Sequence, residues 1–406
     1  MSRSKKEWQK ELINSIKGPQ IIEKYPNLAK KLGITMEKMI ELNRKHLVSI
    51  TPHYAKLINW KNPDDPLMRL VFPSLSELSE AGLPDQSGEH MNMLKAGVHG
   101  VQHKYSATAL ILMTGVCATY CRFCFRRRTV GTQNETIREL ESAFKYISKH
   151  PEINNILLTG GDAFMVGNRR IEFVLKNLRK IKHIGVIRFG SRMPVYLPSR
   201  FKDKDLMNIL AKYNEPDRNL YVITHIDHPR ELSKESIEAH RKLIRMGIGV
   251  RSQTVLSRGV NDDPKTLSEL LLKMSETSIV PYYVFQCRPV IQATHYAVPL
   301  LEGYRIFEEA KKPLSGLAKS ARYIMSHVSG KMEILNVEKK KGKRRIVLRH
   351  HQCREEKYLG KIAAIEYELP AYWLDDILNQ KHKVLMGEDV VKYAKSQMKK
   401  LYGKKN

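Results

Sequence analysis

The stretch "ATALILMTGVCATYCRFCFRRRTV", residues 107–130, decides the fold class. It opens as an apolar run of strand length and runs into a loop with three cysteines inside eight positions, followed at once by three arginines. A strand that delivers a knot of thiols at its end suits an α/β protein, in which chemistry collects at the carboxyl ends of parallel strands.

Outward from that loop the same pattern repeats. "NNILLTGGD", "IGVIRFGSR", "NLYVITHI", "GVRSQTVL" and "VPYYVFQC" are further short apolar runs. Between them lie segments of helical length and spacing, such as "ETIRELESAFKYISKH" and "SIEAHRKLIRMG". Six strand-helix units predict a parallel sheet, open or curled into part of a barrel. The expected organisation is a helical N-terminal region over 1–95 and an α/β core over 96–317. A small α+β region over 318–380 follows, with "KMEILNVEK", "RRIVLRH" and "KIAAIEYEL" as antiparallel strands, then a basic helical tail over 381–406.

Composition narrows the function classes. With 406 residues and 42% hydrophobic content the chain can bury a sizeable core. No apolar run approaches the roughly 18 residues of a membrane span. The start, "MSRSKKEWQKELINSIKG", has the pattern of a charged amphipathic helix, so a cytoplasmic protein without a membrane partner is expected. The formal charge of +28 favours anionic partners. Much of the excess sits in "EKKKGKRR" (338–345) and in the tail, where turns and solvated helix faces account for it. No basic-and-aromatic module recurs, so nucleic acid is not an expected partner.

Cys117, Cys121 and Cys124 form C-x3-C-x2-C. Five cysteines with three clustered make a poor disulfide framework. Structural zinc wants four protein ligands, and Cys287 and Cys353 lie far off in sequence. Three thiolates suit a [4Fe-4S] cluster that leaves one iron open.

This spacing, with an aromatic residue just before the last cysteine, resembles the signature of radical S-adenosylmethionine (SAM) enzymes. "LLTGGDAF" (157–164) resembles the glycine-rich turn that holds the amino group of SAM in those enzymes. In detail the chain resembles the lysine 2,3-aminomutase family from about residue 50 to about residue 335. The matching stretches are "DPLMRLVFPSLSEL", "CATYCRFCFRRR", "LLTGGDA", "IRFGSRMPVYLPSR", "THIDHPRE", "SQTVLSRGVND" and "VPYYVFQC".

The resemblance implies a partial parallel (βα)6 barrel with a [4Fe-4S] cluster, SAM and pyridoxal 5′-phosphate (PLP). The implied reaction shifts an amino group between adjacent carbons of a small amino acid, with an external one-electron reductant. Position by position it implies that Cys117, Cys121 and Cys124 hold the cluster. Phe123, Gly160, Gly161, Asp162, His225 and Gln253 then serve SAM, and Lys104 the PLP phosphate. Lys331 is the implied Schiff-base lysine, Arg126 grips the substrate α-carboxylate and Arg288 meets the distal group, while Arg127 and Arg128 are left to ion pairs within the protein.

The departures concern substrate and PLP. Lys331 follows only "VSG", where the family has a proline and four glycines. Thr108 stands where a second phosphate-binding arginine is expected, and Phe285 where the aminomutases carry a tyrosine. Arg288 and His327 occupy the positions of the two aspartates that hold the distal ammonium of lysine. A cation facing a cation there costs roughly 4 kcal/mol at an effective dielectric of 20, which argues against free lysine. An acidic or neutral amino acid is expected instead, and a basic residue in place of an aspartate resembles the glutamate 2,3-aminomutase branch, which implies a distal carboxylate for Arg288. A protein-bound or nucleotide-linked amine is the alternative, and a nucleic-acid-associated iron-sulfur protein ranks last. Only Cys353 remains near the family's C-terminal zinc cysteines, which leaves a homo-oligomer open.

Overall fold

The computed structural model describes residues 5–94, 98–132, 136–137 and 139–403. The expected boundary at 95/96 and the last three residues of the tail therefore lie outside the described residues. Before the sheet the chain forms short helices, among them Glu7–Ile13, Met36–Lys45, Pro52–Leu57 and Pro66–Val71. Their starts are written locally: the side chains of Thr35, Thr51 and Asp65 accept the first free amides, and proline opens the last two helices. Two short strands, β1 (Ile16–Lys17) and β2 (Ser49–Ile50), pair antiparallel. The second continues under the cysteine loop, where the Ser49 hydroxyl donates to the Ala118 carbonyl at 2.9 Å.

Among the described residues the rest is organised by one sheet of twelve strands. In chain order these are β3 (Val101–Tyr105), β4 (Thr108–Thr114), β5 (Asn155–Gly160), β6 (Val186–Ser191), β7 (Leu220–His225) and β8 (Gly249–Leu256). Then come β9 (Val280–Gln286), β10 (Arg322–His327), β11 (Gly330–Lys340), β12 (Lys343–Cys353), β13 (Ile362–Tyr367) and β14 (His382–Met386). They lie side by side in sequence order, parallel from β4 to β10 and antiparallel at β3–β4 and from β10 to β14.

The six predicted runs are β4 to β9. β10 adds a seventh parallel strand: the helix Leu300–Lys311 carries the chain back, and β10 pairs with β9 over Arg322 to Ile324 before turning into β11. The expected tail opens with a strand, β14, and is helical only from Glu388 to Tyr402. The helix expected from "ETIRELESAFKYISKH" runs from Leu140 to Ser148; residues 135 and 138 lie outside the described set.

Along β6 and β8 buried residues alternate with half-buried ones. Ile187, Phe189, Val250 and Leu256 are buried in the core, whereas Arg188, Arg251 and Gln253 project from the other face of the sheet. Each fully buried aliphatic side chain, Leu158 and Ile187 among them, contributes about 2 kcal/mol of hydrophobic stabilisation.

Candidate active site

The cysteine loop leaves β4 and rests on charge. Glu77 is fully buried and takes two guanidiniums: Arg122 Nε at 3.0 Å and Nη2 at 2.7 Å, and Arg127 Nη2 at 2.8 Å. Burial alone would raise the Glu77 carboxyl, but the two arginines hold it below its ordinary range. Arg122 also donates to the carbonyls of His46 and Leu47, and Arg127 to those of Arg122 and Gln292. Arg128 pairs with Asp85 at 3.5 Å. Two arginines flanking the thiols thus fasten the loop to the helical region beneath it.

Cys117, Cys121 and Cys124 are free thiols. Burial pushes all three up, Cys124 to about 11, and their mutual proximity pushes Cys117 and Cys124 further. Metal coordination is the chemistry that would hold such buried groups as thiolates. Among the described residues no three His, Cys, Asp or Glu side chains converge on a single ion. Three thiols carried on one loop fit a [4Fe-4S] cluster that takes three cysteine ligands and keeps one iron open.

The glycine turn at the end of β5 is packed against this loop. Gly160 has φ of +121°, and a Cβ there would lie 2.3 Å from the Thr114 carbonyl oxygen; at Gly161 it would lie 2.4 Å from that of Val116. The amides of Gly161 and Asp162 donate to those same carbonyls, at 2.6 and 3.0 Å. What the glycines can offer an ammonium is therefore carbonyl oxygen. The Asp162 carboxylate turns inward and accepts from Ser191 Oγ, the Arg192 amide and the Phe164 amide, bracing turn and β6 together. The Phe123 ring meets that of His225 edge-on at 5.4 Å, and Gln253 sits directly across from His225 on β8. Thr114, Gly160, Gly161 and Arg126 line one cleft.

Arg126 is forked by a carboxylate of the chain itself. Its Nε and Nη2 donate to the two oxygens of Glu89, at 3.1 and 3.0 Å, and its Nη1 to Thr159 Oγ1 at 3.1 Å. The Arg288 guanidinium lies over the Phe125 ring at 3.8 Å from its centroid, and that of Arg126 over the same ring at 4.9 Å. Arg288 also donates to Ser87 Oγ at 3.0 Å.

Farther along the sheet, Lys104 and Lys331 both face the Tyr105 ring, with Nζ at 5.7 and 5.3 Å from its centroid. Lys331 donates to Gln352 on the paired strand at 2.7 Å and Lys104 to the His327 carbonyl at 3.1 Å. Burial first, and then the neighbouring cations, bring each ammonium down to about 7: Arg288 and Arg354 for Lys104, and Arg188, Lys104 and Arg288 for Lys331. A lysine that is partly neutral at neutral pH, beside tyrosines and cations, fits a carbonyl cofactor that carries a phosphate. Thr108 opens β4 without a charge, Arg354 supplies a cation near Lys104 instead, and the Phe285 ring stands 5.4 Å from Tyr283.

His327, which stands at one of the family's aspartate positions, has its ring engaged within the protein. Its ring is fully buried between Asp375 Oδ1 and Ser329 Oγ, each at 2.8 Å, because Asp375 arrives on the short helix Leu374–Leu378. Arg192, Tyr196, Glu89 and Arg354 went unnoticed in the sequence. Arg192 and Tyr196 left a trace there only as members of the matching stretch "IRFGSRMPVYLPSR".

Residues 111–271 match the model of the radical SAM superfamily. An Aquifex aeolicus protein provisionally named L-lysine 2,3-aminomutase is 39% identical over 84% of this chain and 92% of its own length. The L-lysine 2,3-aminomutase of Clostridium subterminale is 32% identical over 76% of this chain and 73% of its own. The glutamate 2,3-aminomutase of Clostridioides difficile is 32% identical over 77% of this chain and 71% of its own. Among the described residues no helix is long and apolar enough to cross a membrane. With an α/β sheet carrying three thiols, a double-glycine turn and Lys331, the chain belongs to the lysine 2,3-aminomutase family of radical SAM enzymes, whose cofactors are a [4Fe-4S] cluster, SAM and PLP.

Proposed function

We propose that the enzyme moves an amino group between adjacent carbons of an amino acid whose distal group is anionic, with glutamate the best fit, rather than of free lysine. The observation that carries this is Arg288, whose guanidinium lies over the Phe125 ring beside that of Arg126, at the position where a distal ammonium would need a carboxylate. Arg126 has five N–H donors, of which Glu89 and Thr159 take three, leaving one on each terminal nitrogen for a substrate α-carboxylate. Arg288, with Ser87 as its hydrogen-bond partner, receives the second carboxylate.

In this reading Cys117, Cys121 and Cys124 hold the cluster. The carbonyls of Gly160 and Gly161, the Phe123 ring, His225 and Gln253 receive SAM, while Asp162 keeps the turn in place. Lys331, with its ammonium lowered to about 7, provides a nucleophilic amine, and Lys104 with Arg354 faces the phosphate. When bound, the cluster and SAM supply a radical able to take a hydrogen atom from an unactivated carbon, and PLP a covalent hold on the migrating nitrogen.

The test is an anaerobic assay of reconstituted enzyme on a panel that includes glutamate and lysine, reading β-amino acid and 5′-deoxyadenosine together. Glutamate should turn over and lysine should not. Preferred turnover of lysine, or SAM cleavage with no β-amino acid from any panel member, sinks the proposal.

A further inference from the structure

β6 ends at Ser191, and the next residues turn through the short helix Met193–Tyr196. That turn brings two polar side chains against a single thiol of the cysteine loop. The Tyr196 hydroxyl lies 3.1 Å from Cys121 Sγ and Arg192 Nη1 lies 3.5 Å from it. Both residues are buried, at 2% and 5% exposure.

Neither side chain is free to swing. Arg192 is clamped between Asp227, at 2.8 Å, and Glu231. Glu231 also takes the Tyr54 hydroxyl at 2.7 Å and the Asp227 amide at 2.6 Å. The Tyr196 ring meets Tyr54 edge-on at 4.7 Å, and the Arg192 guanidinium lies 4.7 Å from its centroid. Two carboxylates, a guanidinium and two phenols thus form a rigid buried network whose donors end on one sulfur. Rigid donors keep their aim at a ligand atom instead of relaxing away from it.

We propose that Tyr196 and Arg192 are positioning residues that donate hydrogen bonds to the Cys121 sulfur as a cluster ligand, and that they set the potential at which the cluster accepts its electron. The inference rests on the assignment of Cys117, Cys121 and Cys124 as the cluster ligands. Reduction adds one negative charge, shared between the irons and their sulfurs, and a donor aimed at a ligand sulfur stabilises the reduced form over the oxidised one. Asp227 and Glu231 act in the opposite sense, but they reach the sulfur through the guanidinium between them. In the step itself one electron passes from a low-potential flavin or iron-sulfur carrier to the cluster, and no bond forms or breaks. The network makes the cluster easier to reduce by such a carrier.

Y196F is the cleanest probe, since it removes one hydroxyl and keeps the ring. A redox titration of the anaerobic holoenzyme, followed by electron paramagnetic resonance, should show its midpoint moving negative. The expected size is about a tenfold change in the reduction equilibrium, or about 59 mV for one electron, with iron content unchanged. R192K should move the midpoint the same way. Y54F, whose hydroxyl meets Glu231 rather than sulfur, should leave it in place. An unchanged midpoint in Y196F, an equal shift in Y54F, or lost iron in place of a shift overturns the inference. C121A that keeps a wild-type cluster sinks the ligand assignment instead; C121A that loses the cluster while Y196F keeps its midpoint sinks this inference alone.

Discussion

The two ends of the site follow opposite electrostatic plans. Around the cysteine loop every cation is answered by the chain: Arg122 and Arg127 by Glu77, Arg128 by Asp85, Arg192 by Asp227 and Glu231. Around Lys331 cations crowd together: burial first, and then neighbouring cations, bring Lys104 and Lys331 down to about 7, with Glu89 opposing them at Lys104. The first end is a scaffold, whose charges fix geometry. Under the proposed function the second is a receptor for anions, whose charges await phosphate and carboxylate.

The contrast can be broken from either side. The largest effect is expected from C124A, which should abolish 5′-deoxyadenosine release and lower bound iron, measured by product assay and iron analysis. E77A leaves two buried guanidiniums without their partner. It should cost roughly 3–5 kcal/mol of stability, read as a drop in the denaturation midpoint. At the receptor end the analogous loss should be small in stability and large in selectivity. R288D should shift preference from glutamate toward lysine by about 100-fold or more in kcat/KM, since a term of roughly 4 kcal/mol changes sign.

The smallest effect is a pH slope. A lysine whose folded value lies near 7 binds fewer protons than its unfolded counterpart near 10.5. Stability of the protein without PLP should therefore rise with pH between about 7 and 8.5, by at most about 1.4 kcal/mol per unit for each lysine. K331M should flatten that rise, and added PLP should do so by supplying the missing anion. An equal slope in wild type and K331M, measured by denaturant titration, would remove Lys331 from the cationic cluster.

What was legible in the sequence was what is local. C-x3-C-x2-C sits on one loop, and Gly160 announces a backbone that other residues cannot adopt at that contact. β4 to β9 declare themselves as apolar runs bounded by turns. β10 did not, because "RYIMSH" becomes a strand through partners distant in the reading, three residues of β9 on one side and the hairpin partner β11 on the other. β14 is a half-exposed edge strand without apolar alternation. Arg288, singled out by its place in "FQCRPV", lies beside Arg126 on the Phe125 ring. The orientation of His327 was not legible, because it is set by Asp375, 48 residues away. Glu89 and Arg354 carry no local pattern, and only the fold brings them to the cations they serve or join.

The unbroken sheet has one more consequence, a matter of alignment tolerance. The glycine turn on β5 and Lys331 on β11 belong to the same hydrogen-bonded ladder, so the span between them is fixed by strand register rather than by the docking of two bodies. The joint with least redundancy is β9–β10, where Tyr283, Val284 and Phe285 alone set the offset. A slip of one residue there would carry Lys331 about 3.3 Å along the strand and turn it to the opposite face. An enzyme that must bring a short-lived radical to one chosen carbon has its ruler in those three pairs.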